Sequence, residues 1–331
     1  MELYRRFGDV RYFILLFLKY NIMPAAITQK LVNKYMSDCT LCPRNCHADR
    51  LSGATGFCGQ TSELTAARAA LHFWEEPCIS GSVGSGAVFF SGCSLQCVFC
   101  QNHDIALGRR GQVISVERLS EIFLELQTKG AANINLVTPS HFIPQICLAL
   151  VQAKQGGLYL PIVYNTSGYE NVASLQLLEG LVDIYLPDLK YFSPETAAKY
   201  SHARDYFEKA SAAIAEMFRQ VGPPVFDDAG GLLKKGIIVR HLLLPGQSAD
   251  SKKILRYLHE TYHNDIYVSI MNQYTPLPHV AAFPELNRMI APPEYENILE
   301  FADKIGIEQG YMQEDGTAAE SFIPLFDGEG L

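Results

Sequence analysis

Long apolar runs are absent from this 331-residue sequence. The most apolar stretch near its start, Tyr12–Leu18, is ended by Lys19, far short of the roughly 20 residues a helix needs to cross a bilayer, so no membrane span is expected. Runs of basic residues are absent too. Lys and Arg number 27 against 35 Asp and Glu, a formal charge of −8, and no basic segment could follow a phosphate backbone, which removes nucleic acid from the expected partners. Glycine and proline are too sparse for a linker-rich or disordered chain, and no low-complexity segment occurs.

What is present is the composition of a globular enzyme, 48% apolar and 19% charged, enough for one large catalytic domain with an N-terminal annex. The 12–18 stretch, preceded by Arg5, Arg6 and Arg11 and followed by Pro24-Ala25-Ala26, has the outline of a signal peptide. An amphipathic helix that packs on the annex or on a partner is the preferred reading. Cysteine is abundant, with nine residues. The odd count and the grouping of Cys39, Cys42, Cys46 and Cys58, then Cys93, Cys97 and Cys100, suit metal ligation better than a disulfide framework. A reducing, cytoplasmic location is therefore expected.

From residue 86 onward, β-rich apolar runs alternate with helical periodicity, the signature of a parallel sheet covered by helices. The runs are Ala87–Ser91, Asn133–Val137, Pro161–Thr166, Val182–Leu189, Ile237–Leu244 and Tyr267–Asn272. Helices are predicted at Val116–Lys129, His141–Lys154, Ala203–Gln220 and Ser251–His263, three of them followed closely by glycine. Asp227–Gly231 reads as a loop into the fifth strand. Six βα units fall short of a closed eight-unit barrel, so the predicted fold is α/β, a partial (β/α)6 TIM-type barrel over residues 86–331 with a cysteine-rich extension over residues 1–85. A helix at Glu294–Ile305 and an acidic tail, Gly306–Leu331, that covers a barrel edge or frays complete it. Reactive groups belong at the C-terminal ends of the strands.

Directly after the first strand comes Ser91-Gly92-Cys93-Ser94-Leu95-Gln96-Cys97-Val98-Phe99-Cys100-Gln101-Asn102, a CxxxCxxC loop with an aromatic before its third cysteine. Three thiolates on one short loop can bind three irons of a [4Fe–4S] cubane and leave the fourth iron open to a ligand. A zinc site or chance spacing is the competing reading. Chance would give such a triplet in roughly one chain of this composition in a hundred, and its position after a strand weighs further against it.

The chain resembles the radical-SAM superfamily, and within it the PflX-type proteins related to pyruvate formate-lyase activating enzyme. Besides the cluster loop the resemblance rests on Cys39-Thr40-Leu41-Cys42-Pro43-Arg44-Asn45-Cys46, Glu75-Glu76-Pro77-Cys78-Ile79-Ser80-Gly81, Tyr185-Leu186-Pro187-Asp188-Leu189-Lys190 and Val239-Arg240-His241-Leu242-Leu243-Leu244-Pro245-Gly246. It implies that Cys93, Cys97 and Cys100 are the catalytic and metal-binding residues. The open iron would chelate S-adenosyl-L-methionine, and one electron would split it into methionine and a 5′-deoxyadenosyl radical, with the cofactor supplying the hard chemistry. Such proteins usually follow the second strand with Gly-Gly-Glu, which contacts the methionine amino group. Here Asn133–Ser140 offers only the neutral Asn135 and Thr138. Asn165 and Ser167, in the turn after the third strand, would contact the ribose or methionine portion. Asp188 and Lys190 match the activases' Asp-x-Lys, and alternation places both on one face, where an internal ion pair is the alternative. Arg240 and His241 must point to opposite faces, and His241 is taken as the cofactor-binding one. Asn272 and Gln273 are weaker candidates.

Cys39, Cys42, Cys46 and Cys58 read as C-x2-C-x3-C-x11-C, a complete four-thiolate set for zinc or a second Fe–S cluster. His47 is a substitute ligand or a surface histidine. Cys78 could be a further ligand, a hydrogen-atom donor or a small buried hydrophobe, and Cys147 on an apolar helix face is a hydrophobe. The resemblance implies a glycyl-radical enzyme as protein substrate and flavodoxin or ferredoxin as reductant. Radical modification of a small molecule or another protein, and a non-catalytic Fe–S electron carrier, are the alternatives.

Overall fold

A computed structural model of the protein describes residues 27–313 and 324–331. The helix expected near the N-terminus lies outside them. Helix α1 (Gln29–Ser37) leads into the cysteine-bearing turns and then into strand β1 (Thr65–His72). There follow β2 (Ser85–Phe90), α2 (Val116–Thr128), β3 (Ile134–Val137), α3 (Ile143–Gln155), β4 (Ile162–Thr166), β5 (Ile184–Pro187), α4 (Tyr206–Val221), β6 (Leu233–Leu242), α5 (Ser248–Tyr262), β7 (Tyr267–Met271), α6 (Pro292–Ile305) and β8 (Gly310–Met312). Strands β2 to β8 stand in sequence order, each parallel to the next. The sheet stays open, an α/β partial barrel of the kind the βα alternation predicts.

Two features were not legible in the strand pattern. Gly310–Met312 adds a seventh parallel strand beside β7, from a three-residue segment between polar flanks, too short to read as more than tail. At the other side β1 pairs antiparallel with β2. Its Thr-Ala-Ala-Arg-Ala-Ala-Leu-His sequence has little β-propensity, and burial against β2 overrides that. The sheet is thus continuous across the division drawn at residues 85 and 86.

Local chemistry explains the elements that carry the site. In α2, Leu119, Ile122, Phe123 and Leu126 are buried, the i, i+3, i+4, i+7 stripe of a helix lying on a sheet. Each such side chain contributes roughly 1.5–3 kcal/mol by leaving water. Ser115 caps the helix by accepting the Arg118 N–H at 3.0 Å, and Pro292 opens α6, where a missing N–H costs nothing. Every residue of β2, β3, β4 and β5 is buried, as expected of parallel strands covered on both faces. The tail covers an edge: Ala69 N–H donates to the Glu329 carbonyl at 2.8 Å and Gly328 N–H to Ala67 at 3.1 Å, while Arg68 pairs with Asp327 and Glu329. No helix among the described residues is long and apolar enough to cross a membrane.

Candidate functional site

The loop that leaves the end of β2 brings Cys93, Cys97 and Cys100 to one wall of a cavity of about 290 Å³ at the C-terminal ends of the parallel strands. The Leu95 N–H donates to the Cys93 sulfur at 3.4 Å and the Ser201 hydroxyl to the Cys97 sulfur at 2.9 Å. Phe99 anchors the loop against Tyr191 and Tyr274, ring centroids 6.4 and 6.1 Å away. Burial pushes all three thiols above their ordinary range, and for Cys100 the charges of Cys97 and Cys93 add to it. They become thiolates when cationic iron offsets that cost. Among the described residues no three Cys, His, Asp or Glu side chains stand within reach of a single ion. A cubane asks for something else, three thiolates on three separate irons, and the donor set along this wall suits it.

The rest of the lining comes largely from strand ends. Thr138, Asn165, Ser167, Asp188 and Lys190 all line the cavity. Asn135 lies one turn of the pleat deeper, fully buried, and reaches the cavity through the amide it donates to Glu75. Thr138 carries φ of +58°, a strained conformation for a β-branched residue of the sort found at binding sites. Its N–H donates to the Asn165 carbonyl at 2.9 Å. Lys190 and Asp188 form an ion pair at 2.5 Å. Burial alone would lower the Lys190 pKa, but the Asp188 carboxylate and the Cys97 sulfur outweigh it, so the ammonium persists beside the cysteine wall. The Tyr206 hydroxyl lies 2.8 Å from the Ser167 carbonyl and 2.9 Å from that of Asp188, and it accepts the Lys190 N–H at 3.0 Å. Gly168 permits this join: its φ is +79°, and a Cβ there would fall 2.2 Å from the Asp188 carbonyl oxygen.

His241 is not in this cavity, contrary to the sequence expectation. It is 2% exposed and turned away from the cavity, its Nδ1 2.8 Å from the Leu189 carbonyl. Burial lowers its pKa to about 4, so the ring is neutral. Arg240 is the residue that faces the cavity. Its Nε and one terminal nitrogen donate to the two Glu76 oxygens, both at 2.9 Å, and that nitrogen also pairs with Glu75. Alternation separates the two neighbours but cannot say which side encloses the cavity.

Glu75 is the residue the strand pattern missed. It arrives from the loop between β1 and β2, and its Oε1 accepts the Asn135 amide at 2.9 Å and the Asn165 amide at 3.2 Å. A carboxylate therefore stands at the end of β3 after all, supplied from outside the strand. The Glu-Glu-Pro before a short helix was its only trace in sequence.

Gln273 lines the cavity and its carbonyl accepts the Gln101 amide at 2.8 Å, while Asn272 does not line it. Cys78 is buried in a separate apolar cluster with Ile79, Val163, Ile184 and Leu186, a small hydrophobe and no part of the cysteine wall. Cys147 is likewise fully buried in the main core. His47 is exposed, and its Nδ1 pairs with Asp38 at 2.7 Å. Cys39, Cys42 and Cys58 are buried and Cys46 exposed. The cavity mouth carries Trp74, 64% exposed, and Pro324.

Residues 87–258 match the Radical SAM superfamily. "Uncharacterized protein MJ0674" of Methanocaldococcus jannaschii is 26% identical over 315 residues, which span 92% of this chain and 84% of the relative. Among solved structures, Streptococcus suis SuiB bound to the precursor peptide SuiA superposes with a TM-score of 0.48 at 10% identity, over 68% of this chain and 47% of that one. A domain of pyruvate-formate lyase-activating enzyme from Bacteroides vulgatus gives a TM-score of 0.38 at 10% identity, over 52% of this chain and 91% of that one. The chain thus spans about half the length of SuiB.

Proposed function

The chain belongs to the radical SAM superfamily, and on that premise we propose that it cleaves S-adenosylmethionine reductively and activates a partner glycyl-radical enzyme, as a PflX-type relative of pyruvate formate-lyase activating enzyme. One observation carries the reading: Cys93, Cys97 and Cys100 share a single cavity with Asp188, Lys190, Glu75 and Arg240. A [4Fe–4S] cluster held by Cys93, Cys97 and Cys100 would supply the one-electron chemistry for reductive cleavage of S-adenosylmethionine.

The chain's own groups do the rest. Lys190 sets a positive charge against the thiolate wall, and the Leu95 N–H and Ser201 hydroxyl steady two of its sulfurs. Glu75, fixed by Arg240, Asn135 and Asn165, accepts the substrate ammonium that no carboxylate on β3 can take. Lys190 answers the substrate carboxylate, and Asp188 holds the lysine in place. Phe89, Val137, Leu242 and Met271 give the apolar lining that keeps water from the uncharged part of the ligand. The Glu75–Gly81, Tyr185–Lys190 and Val239–Gly246 segments support the activase assignment by resemblance. A flavodoxin or ferredoxin reductant and a cytoplasmic setting accompany it.

The test is anaerobic incubation of the reduced enzyme with S-adenosylmethionine and a candidate glycyl-radical protein, followed by EPR. A glycyl doublet is expected. Release of 5′-deoxyadenosine without a doublet on any partner would shift the substrate to a small molecule or another protein. No 5′-deoxyadenosine at all would leave an electron carrier and end the enzyme reading.

A further inference from the structure

Arg50 is a fully buried arginine whose charge has no carboxylate to answer it among the described residues. Its hydrogen bonds run to the carbonyls of Gln60 (3.1 Å), Thr61 (2.7 Å) and His141 (2.6 Å) and to the sulfur of Cys39 at 3.8 Å. A guanidinium cannot shed its proton, and a buried charge is costly unless it is paired. Thiols stand among the groups near it that can carry negative charge. Cys39 touches it, and its charge acts on Cys58.

The four N-terminal cysteines lie close enough for their charges to interact: Cys39 and Cys46 act on Cys58, and Cys39 and Cys58 act on Cys42. Their local construction repeats that of the loop at Cys93. There the backbone N–H two residues on, from Leu95 and Asn102, is directed at the sulfurs of Cys93 and Cys100. In the N-terminal group Arg44 and Gln60 present their N–H groups to Cys42 and Cys58 in the same i, i+2 relation. Phe57 N–H donates to the Cys46 sulfur at 3.3 Å. Donors aimed at sulfur stabilise thiolates and orient them for a metal.

We infer that Cys39, Cys42, Cys46 and Cys58 hold a thiolate-bound metal centre, with Arg50 as its built-in counter-ion. Four thiolates around zinc, or around a [4Fe–4S] core, leave a net charge of about −2, which is the partner the buried guanidinium lacks. As at Cys93, Cys97 and Cys100, no three described ligands stand within reach of a single ion, whereas a [4Fe–4S] core takes its thiolates on separate irons. The centre backs directly onto the cluster loop. The Gln96 amide donates to the Phe57 carbonyl at 2.7 Å and Arg44 Nε to the Ser94 carbonyl at 2.8 Å. Gly92, next to Cys93, lies so near the Cys58 carbonyl that a Cβ would come within 2.7 Å of its oxygen. Metal in the N-terminal group therefore shapes the backbone that presents Cys93.

The experiment uses the full chain carrying Cys93→Ser, Cys97→Ser and Cys100→Ser, purified anaerobically, with metal and acid-labile sulfide measured. About one zinc without sulfide, or about four iron with four sulfide, is expected per chain. Either result supports the centre and identifies its metal. Metal far below one equivalent in a variant whose circular dichroism matches the parent overturns it. Should the triple variant fail to fold, thiol alkylation of the unmodified protein decides. Joint protection of the four cysteines, lost together on chelation, supports the centre, whereas independent labelling or two disulfides overturns it. In Arg50→Gln, metal affinity measured against a competing chelator is expected to fall about tenfold or more, with Arg50→Lys recovering part of the loss. Unchanged affinity in Arg50→Gln removes the counter-ion role.

Discussion

Glu75 and Arg240, 165 residues apart in the chain, form an ion pair inside the cavity. Arg240 also holds Glu76 through two bonds of 2.9 Å, so one guanidinium from β6 serves two carboxylates from the loop before β2. The two acids have different surroundings. Glu76 is buried and does not line the cavity, whereas Glu75 lines it.

That division predicts separable effects. Glu75→Gln keeps an oxygen for the Asn135 and Asn165 amides but loses the charge offered to an ammonium. Hydrogen bonds to charged groups contribute about 1.5–3 kcal/mol, a factor of roughly ten to a hundred in affinity. S-adenosylmethionine binding to the cluster-loaded variant, measured by equilibrium dialysis, is expected to weaken by that factor with little change in stability. Unaltered binding would remove Glu75 from the ligand site.

Arg240→Met is a stability variant first. It strands two buried carboxylates, and breaking a buried pair in this way costs about 3–5 kcal/mol. Burial works to raise the Glu76 pKa, and the Arg240 charge and hydrogen bonds more than offset it, holding the carboxyl below its ordinary value. Without Arg240 burial prevails and the folded-state pKa lies above the unfolded one. The penalty is then full at neutral pH and shrinks as pH falls through the raised pKa. Urea unfolding at pH 7 and pH 5 should show the gap to wild type narrowing at the lower pH. A gap that widens contradicts the assignment.

How far the sequence discloses this site depends on which contacts are local. The cysteine loop and the residues that follow β3, β4 and β5 are legible because strand, turn and helix follow one another in the chain, and the barrel rule places strand ends on one side. Glu75 is not, because only the antiparallel pairing of β1 with β2 carries its loop over the cavity. Arg240 and His241 show the limit of alternation: period two separates them without naming the inner face. The buried Arg50 is invisible for a similar reason, since its enclosure comes from Gln60, Thr61 and His141, and His141 enters from the helical turn before α3.

Cys93→Ala tests the cluster wall directly. The variant is expected to lose 5′-deoxyadenosine release under dithionite to the background of a no-enzyme control, since three thiolates are the least that hold the cubane with one iron open. Metal at Cys39, Cys42, Cys46 and Cys58 should survive the change. Release persisting near the wild-type rate would show that Cys93 is not a ligand.

Glu170, behind the cavity lining at Thr166, predicts a pH signature of its own. It is buried, and its Oε1 accepts hydrogen bonds from Ser140, Thr166 and, at 3.4 Å, Tyr164, while Oε2 has no partner among the described residues. Burial lifts its pKa to about 7 despite those donors. The unfolded chain, with an ordinary value near 4.5, binds fewer protons than the folded one between those limits, so stability falls as pH rises from about 4.5 to about 7 and is level above. At about 1.4 kcal/mol for each pH unit crossed between those limits, the full step is on the order of 3 kcal/mol. Glu170→Gln keeps an acceptor for the three hydroxyls and cannot ionise. Its unfolding free energy should lack this step, leaving the variant more stable than wild type at pH 8 by up to that amount. Parallel pH profiles for the two proteins would show that Glu170 is ionised in the folded state at a normal pKa.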